Sequence, residues 1–176
     1  SDLFTFEGFL SVNKKSRQEH LQSLLTEKRT MIFYEAPHKL IATLDDFKKL
    51  LDMAHGMGIR IVLDMVFNHS SDQCKWFQEA RKSKDNPYRN YYIWRDPKPD
   101  GSEPNNWGNY FYEDRGSAWE FDEASGQYYL HYYSKHMPDL NWEYQPLREE
   151  IYEMMRWWLD MGVDGFRLDV ITSLKK

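Results

Sequence analysis

Apolar residues fall at helical spacing in some stretches of the chain and at strand-like spacing in others. Residues 13–28 read as a short charged helix, with Leu21, Leu24 and Leu25 on one side. Thr30-Met31-Ile32-Phe33-Tyr34 is β-branched and aromatic and predicts a strand. Thr43-Leu44-Asp45-Asp46 resembles a capping-box helix start. Phe47, Leu50, Leu51 and Ala54 follow at helical spacing, and Gly56 and Gly58 end the pattern. Residues 59–66 form a mostly apolar run, as in a parallel strand covered on both faces, with Asp64 inside it. The order is strand, helix, strand.

The pattern breaks down over residues 67–145, where Pro87, Pro97, Pro99, Pro104 and Pro138 punctuate loops. A short helix is predicted over 75–82. A hairpin is predicted around Ser125-Gly126, between Trp119-Glu120-Phe121 and Tyr128-Tyr129-Leu130. So long a loop-rich stretch within an α/β alternation implies a functional insertion rather than a linker. Pro146 then opens a helix at a position that tolerates proline. Its apolar stripe is Leu147, Ile151, Met154, Met155, Trp158 and Leu159, read as core packing, and Gly162 closes it.

The last element, 163–170, reads as a strand with a charged tip. Side chains alternate faces along a strand, so Gly165, Arg167 and Asp169 share one side and Phe166, Leu168 and Val170 the other. A guanidinium beside a carboxylate keeps it ionised, and an ionised, oriented Asp can act as a nucleophile. Asp64, with Asn68 and His69 just beyond, marks a second strand end with polar groups. Catalytic groups of parallel α/β folds collect at the carboxyl ends of strands. For Asp64 taken singly, a structural salt bridge is the better explanation of an acid in an apolar run; two such strand ends flanking an aromatic insertion point toward a site.

Composition narrows the function classes. A chain of 176 residues can bury one core. Its net charge of −5 argues against a general nucleic-acid binder. No apolar run approaches the ~20 residues that span a bilayer. The single cysteine, Cys74, rules out an intrachain disulfide, suits a cytoplasmic location and reads as a buried or half-buried thiol. Aromatic residues make up 16% of the chain. They suit either an aromatic core around irregular loops or loops that meet the apolar faces of sugars.

Asp64-Met65-Val66-Phe67-Asn68-His69 resembles the first signature of the α-amylase family of glycoside hydrolases, and Gly165-Phe166-Arg167-Leu168-Asp169 resembles the second. Met137-Pro138-Asp139-Leu140-Asn141-Trp142 resembles a further motif of that family. Residues 81–96 and Glu103-Pro104-Asn105-Asn106-Trp107 look like the oligo-1,6-glucosidases and dextran glucosidases within it. The resemblance covers about residues 45–176 and implies part of a (β/α)8 TIM barrel around its third and fourth strands. Residues 45–69 and 146–176 would belong to the barrel, and 70–145 to the inserted domain B. It further implies that Asp169 is the nucleophile, that Arg167 orients it, and that Asp64 and His69 hold sugar hydroxyls. Val170 resembles the choice of α-1,6-acting members, although a packed strand would also select Val. An oligosaccharide is the implied partner, with no cofactor, no metal, no nucleic acid and no membrane.

Residues 1–44 resemble a different family, the S-adenosylmethionine-dependent methyltransferases of a cytidine ribose in small-subunit ribosomal RNA. Phe6-Glu7-Gly8-Phe9-Leu10, Asn13-Lys14-Lys15, Arg29-Thr30 and the stretch Ile32-Phe33-Tyr34-Glu35-Ala36-Pro37-His38-Lys39-Leu40 carry it. Glu35 and His38 suit structural and functional roles equally. The two resemblances meet near Thr43–Phe47, as in a fusion of two gene fragments. A retaining glycosidase needs a second carboxyl group about 5–5.5 Å from the nucleophile, as acid and then base. The family places that Glu after its fifth strand, beyond this sequence. The expectation is a glycosidase segment with little activity by itself, prone to self-association through exposed strand edges. The alternatives are a methyltransferase remnant or a non-catalytic fusion product.

Overall fold

In a computed structural model the described residues are 4–9, 11, 13–24, 26–27, 29–34, 40–110 and 116–174. Glu35 and His38 lie outside them. The elements run β1 (Phe4–Phe9), α1 (Lys14–Ser23), β2 (Thr30–Tyr34), α2 (Leu40–Gly56), β3 (Val62–Val66), α3 (Lys75–Ala80), β4 (Trp94–Arg95), β5 (Trp119–Asp122), β6 (Gln127–Leu130), α4 (Gln145–Met161) and β7 (Gly165–Asp169). The class is α/β, as the sequence predicts. The chain divides into two compact units, residues 1–63 with 154–167 and residues 64–153 with 168–176.

In the first unit β1 and β2 pair in parallel, with a register shift between Phe6 and Gly8. β1 is not expected from the sequence, because the bulge and Gly8 interrupt its alternation. At the shift, the Glu7 carboxylate meets the His20 ring at 3.0 Å. α1 is shorter than 13–28. Asn13 caps it by accepting the Ser16 N–H at 3.2 Å, and at Leu24 the N–H turns to the Leu21 carbonyl at 3.2 Å. Leu25 lies outside the described residues. α2 starts three residues before the capping-box reading, so Thr43 is inside the helix. Leu40 and Leu44 carry the helical spacing of Phe47 and Leu51 back by a turn.

β3 is also shorter than 59–66. Gly58, at φ 72°, lets the Ile59 N–H turn back to the Ala54 carbonyl at 2.9 Å. Ile61 is committed to Asp164: its N–H reaches the Asp164 carboxylate at 2.7 Å, and its carbonyl accepts the Asp164 N–H at 2.9 Å. Asp164 also meets the His55 ring at 2.8 Å, and these hydrogen bonds, Ile61's first, hold its carboxyl below the usual range. The expectation of a strand covered on both faces fails. Val62, Asp64 and Val66 are exposed and alternate with half-buried Leu63 and Met65. β3 and β7 are neighbours in a two-stranded sheet.

The second unit contains the loop-rich insertion, and its aromatic residues are mostly core. Phe77 packs against Tyr92, Trp94 and Tyr129 with ring centroids 5.0, 5.7 and 5.0 Å away. All four are buried, and burying such a ring contributes about 2–3 kcal/mol. The predicted hairpin is β5–β6, antiparallel, with Trp119 opposite Leu130 and Asp122 opposite Gln127. The two-residue β4 adds to its edge, too short to leave a periodic signal. Asp122, buried, accepts two hydrogen bonds from Arg81, at 2.9 Å and 2.5 Å. Arg89, also buried, lies 3.5 Å over the Trp94 ring. The first-turn position of Pro146 matches expectation, but the stripe of α4 is narrower. Leu147, Ile151 and Trp158 are buried, whereas Met154 and Leu159 are exposed. Cys74 is half-buried.

Candidate active site

The two ends of the insertion run antiparallel and close on each other. Leu140 donates its N–H to the Asn68 carbonyl at 2.9 Å, Ser70 to Pro138 at 3.1 Å and Asp72 to His136 at 3.0 Å. His69 and Asp139 form an antiparallel bridge across this neck. Below it, Trp142 donates its indole N–H to the Phe67 carbonyl at 2.6 Å. The Met137–Trp142 motif therefore builds the clasp that seats His69.

Asn68 and Asp139 have no exposed surface. The Asn68 amide nitrogen donates to Asp139 Oδ1 at 3.2 Å and faces His69 Nδ1 at 3.3 Å. Asp139 Oδ2 accepts the Tyr132 N–H at 3.3 Å. With its amide NH2 on both, Asn68 makes His69 Nδ1 an acceptor and leaves the ring proton on Nε2. In that tautomer His69 can donate to a hydroxyl oxygen.

Tyr133 packs on the His69 ring with centroids 5.8 Å apart. Burial raises its phenol above the ordinary value. The Ser173 side chain pulls it down by a hydrogen bond, and Tyr110 and the charges of Asp139 and Asp169 add to the rise. Tyr133 thus packs on His69 and feels the charge of Asp169. Beyond it the rings continue through Tyr110 at 5.6 Å, Tyr132 and Trp107, and Tyr110 and Trp107 are exposed. Sequence reasoning missed Tyr133 and Tyr110, and it named Asn68 only as a polar group at a strand end, without its bonds to Asp139 and His69. The only signal of the two tyrosines was the aromatic richness of the insertion.

Asp169 ends β7 and is half-buried. Arg167, two residues earlier on the same strand, is exposed. Val170 departs from the expected strand: it lies outside β7 in the left-handed region, at φ 52° and ψ 29°. Packing within a strand therefore does not account for a valine there. Asp64 sits inside β3 and is exposed, so it escapes the desolvation cost expected of an acid in an apolar run. Among the described residues no group of three or more His, Cys, Asp or Glu could hold a metal ion, and no helix is long and apolar enough to cross a membrane.

A family model described as the alpha-amylase catalytic domain matches residues 34–176. The chain is 59% identical over 143 residues to an oligo-1,6-glucosidase of Heyndrickxia coagulans, covering 81% of this chain and 25% of that protein. It is 50% identical over 134 residues to a trehalose-6-phosphate hydrolase of Bacillus subtilis, covering 76% and 23%. It spans about a quarter of the length of the curated relatives it matches. Among solved structures, a trehalulose synthase superposes with a TM-score of 0.84 at 40% identity, covering 99% of this chain and 36% of that one. The Bacillus licheniformis trehalose-6-phosphate hydrolase gives 0.82 at 36% identity, with the same coverage. The match begins at Tyr34, eleven residues before the boundary set from motifs. Nothing in these comparisons supports the methyltransferase resemblance of residues 1–44, and structural similarity to glycosidase relatives extends over 99% of the chain. With its catalytic-domain model matched over residues 34–176, the chain belongs to the alpha-amylase family.

Proposed function

We propose that this segment forms the nucleophile side of a retaining α-glucosidase site acting on α-1,6, or α-1,4, bonds of glucosyl oligosaccharides. The observation that carries it is the assembly of His69, Tyr133 and Asp169 within one compact unit. The family match and the names of the relatives support the substrate class. Residues 45–69 and 146–176 would be part of a (β/α)8 barrel around its third and fourth strands, with 70–145 as the inserted domain.

In this reading the Asp169 carboxylate attacks the anomeric carbon as the bond to the departing oxygen breaks, giving a covalent glucosyl ester. A general acid protonates the departing oxygen. The same group, as a base, then takes a proton from the water that cleaves the ester. Arg167 orients Asp169, Asp64 and His69 orient sugar hydroxyls, and Val170 favours the α-1,6 linkage. The acid is a carboxyl group from outside residues 1–176, so the segment assayed by itself hydrolyses little. The test compares turnover of isomaltose and a nitrophenyl α-glucoside by the segment and by its complete reading frame. The expected result is activity confined to the complete protein and abolished by Asp169→Asn. Activity of the complete protein that survives Asp169→Asn would remove the assignment.

A further inference from the structure

Two stretches that the proposed reaction leaves unused meet at one cleft in the second unit. The 103–107 segment brings Asn105 and Trp107 to it, and the end of the neck brings Trp142 and Glu143. The cleft has a volume of about 560 Å³, within the range of small-ligand sites. Among the described residues that line it, none is Asp64, His69, Tyr133 or Asp169. Asn105 organises one wall: its Oδ1 accepts the Trp119 indole N–H at 2.8 Å and the Trp107 backbone N–H at 3.0 Å. The two indole rings lie 23° from parallel with centroids 6.2 Å apart, Trp119 buried and Trp107 exposed. With Oδ1 committed, Asn105 keeps its NH2 as a donor. Opposite chemistry comes from Glu143, whose backbone N–H is held by Asn141 Oδ1 at 3.2 Å while Asn141 itself donates to the Asn90 carbonyl at 3.1 Å. Among the described residues, nothing pairs with the Asn105 NH2 or with the exposed Glu143 carboxylate.

We propose that this cleft is a second, non-catalytic site for a neutral glucosyl oligosaccharide. An indole face covers the apolar C–H face of a pyranose, the amide donates to one hydroxyl, and the carboxylate accepts from another. The cations at the cleft have other partners: Lys84 lies 3.4 Å from Asp96, Arg89 donates to the Ala80 carbonyl and Gln127, and Arg95 donates to the Trp94 carbonyl. That favours an uncharged sugar over a phosphorylated one. The glycosidase reading supplies only the glucosyl character of the ligand.

The test uses the complete reading frame with Asp169→Asn, so that sugar is not consumed, and nitrogen-15 in the tryptophan indoles. The signal that disappears in Trp107→Phe identifies Trp107. Isomaltotriose should shift that signal with a Kd of about 1 mM, and Glu143→Ala should weaken binding about tenfold. In the catalytically intact protein, Glu143→Ala should leave kcat/KM for a nitrophenyl α-glucoside unchanged. A Trp107 signal unmoved at about 20 mM sugar, or a shift indifferent to Glu143→Ala, would overturn the proposal. So would a fall in kcat/KM that matches the loss of binding, or a shift given by inorganic phosphate and not by the sugar. If the intact protein hydrolyses no α-glucoside, the glycosidase reading falls, and the indole titration alone decides whether the cleft binds sugar.

Discussion

Asn68 and Asp139 are joined to each other with no exposed surface, and around them the neck of the insertion is ordered. Removing the carboxylate takes away the acceptor shared by the Asn68 amide and the Tyr132 N–H at a buried position, so Asp139→Ala should cost about 3 kcal/mol. A urea titration measures this, and a loss under about 1 kcal/mol would contradict the packing account. His131 gives a second residue-scale prediction. Burial pushes its imidazole down, against a weaker upward pull from the backbone at Tyr133. The unfolded chain takes up a proton below about pH 6.5 that the folded chain resists, so stability should fall as pH drops through that value. His131→Gln should flatten that part of the pH–stability curve. At this scale the sequence showed the candidate nucleophile Asp169, with Arg167, Asp64 and His69, as polar residues on or beside two strand ends. It hid Tyr133, and the bond of Asn68 to Asp139, because these depend on contacts between segments far apart in the chain.

The neck is ordered by polar contacts between its two arms rather than by a core. Its outer end is clasped by His136 Nδ1 on Asp72 Oδ2 at 2.7 Å. Burial raises the Asp72 carboxyl, but hydrogen bonds from His136 and Gln73 and the charges of His136 and Arg81 outweigh it and hold it below the ordinary value. A depressed carboxyl contributes stability above its unfolded value, about pH 4, and the contribution disappears as pH falls through the folded value. Asp72→Asn should therefore lower stability at neutral pH and weaken the acid-side decline, as read by thermal unfolding between pH 3 and 7. An acid limb that is the same in both proteins would contradict the clasp. Helices α2, α3 and α4 and the β5–β6 hairpin were legible because apolar spacing and Gly or Pro punctuation agree. β1 and β4 were not, since a bulge breaks one alternation and two residues carry no period. The ends of β3 moved because Ile59 and Ile61 serve as partners of α2 and Asp164 rather than of a sheet.

The molecule as described leaves large apolar side chains in solvent: Val62 at 49%, Val66 at 44%, Trp157 at 45% and Leu159 at 47% exposure. Single exposed apolar residues are ordinary, but several on one strand and one helix favour association. The 176-residue segment should self-associate at micromolar concentration in sedimentation velocity, and Trp157→Lys should shift it toward monomer; a monomer at all concentrations would contradict this. The motifs made the family legible from residue 45 onward, because strand-end polar groups recur at wide separations. The family model reaches back to Tyr34, into the stretch read as resembling the methyltransferases, where a strand–helix boundary carries little that is specific to either family. The account's central claim is that Asp169 forms a bond to the sugar. An α-glucoside with an activated leaving group needs no acid to form the ester, so the claim can be tested by trapping a slow fluoroglucosyl substrate and mapping the adduct by peptide mass spectrometry. The account predicts one glucosyl adduct, on Asp169, that is absent from Asp169→Asn; an adduct on Asp64 or another carboxylate, in a protein that turns over α-glucosides, would contradict it.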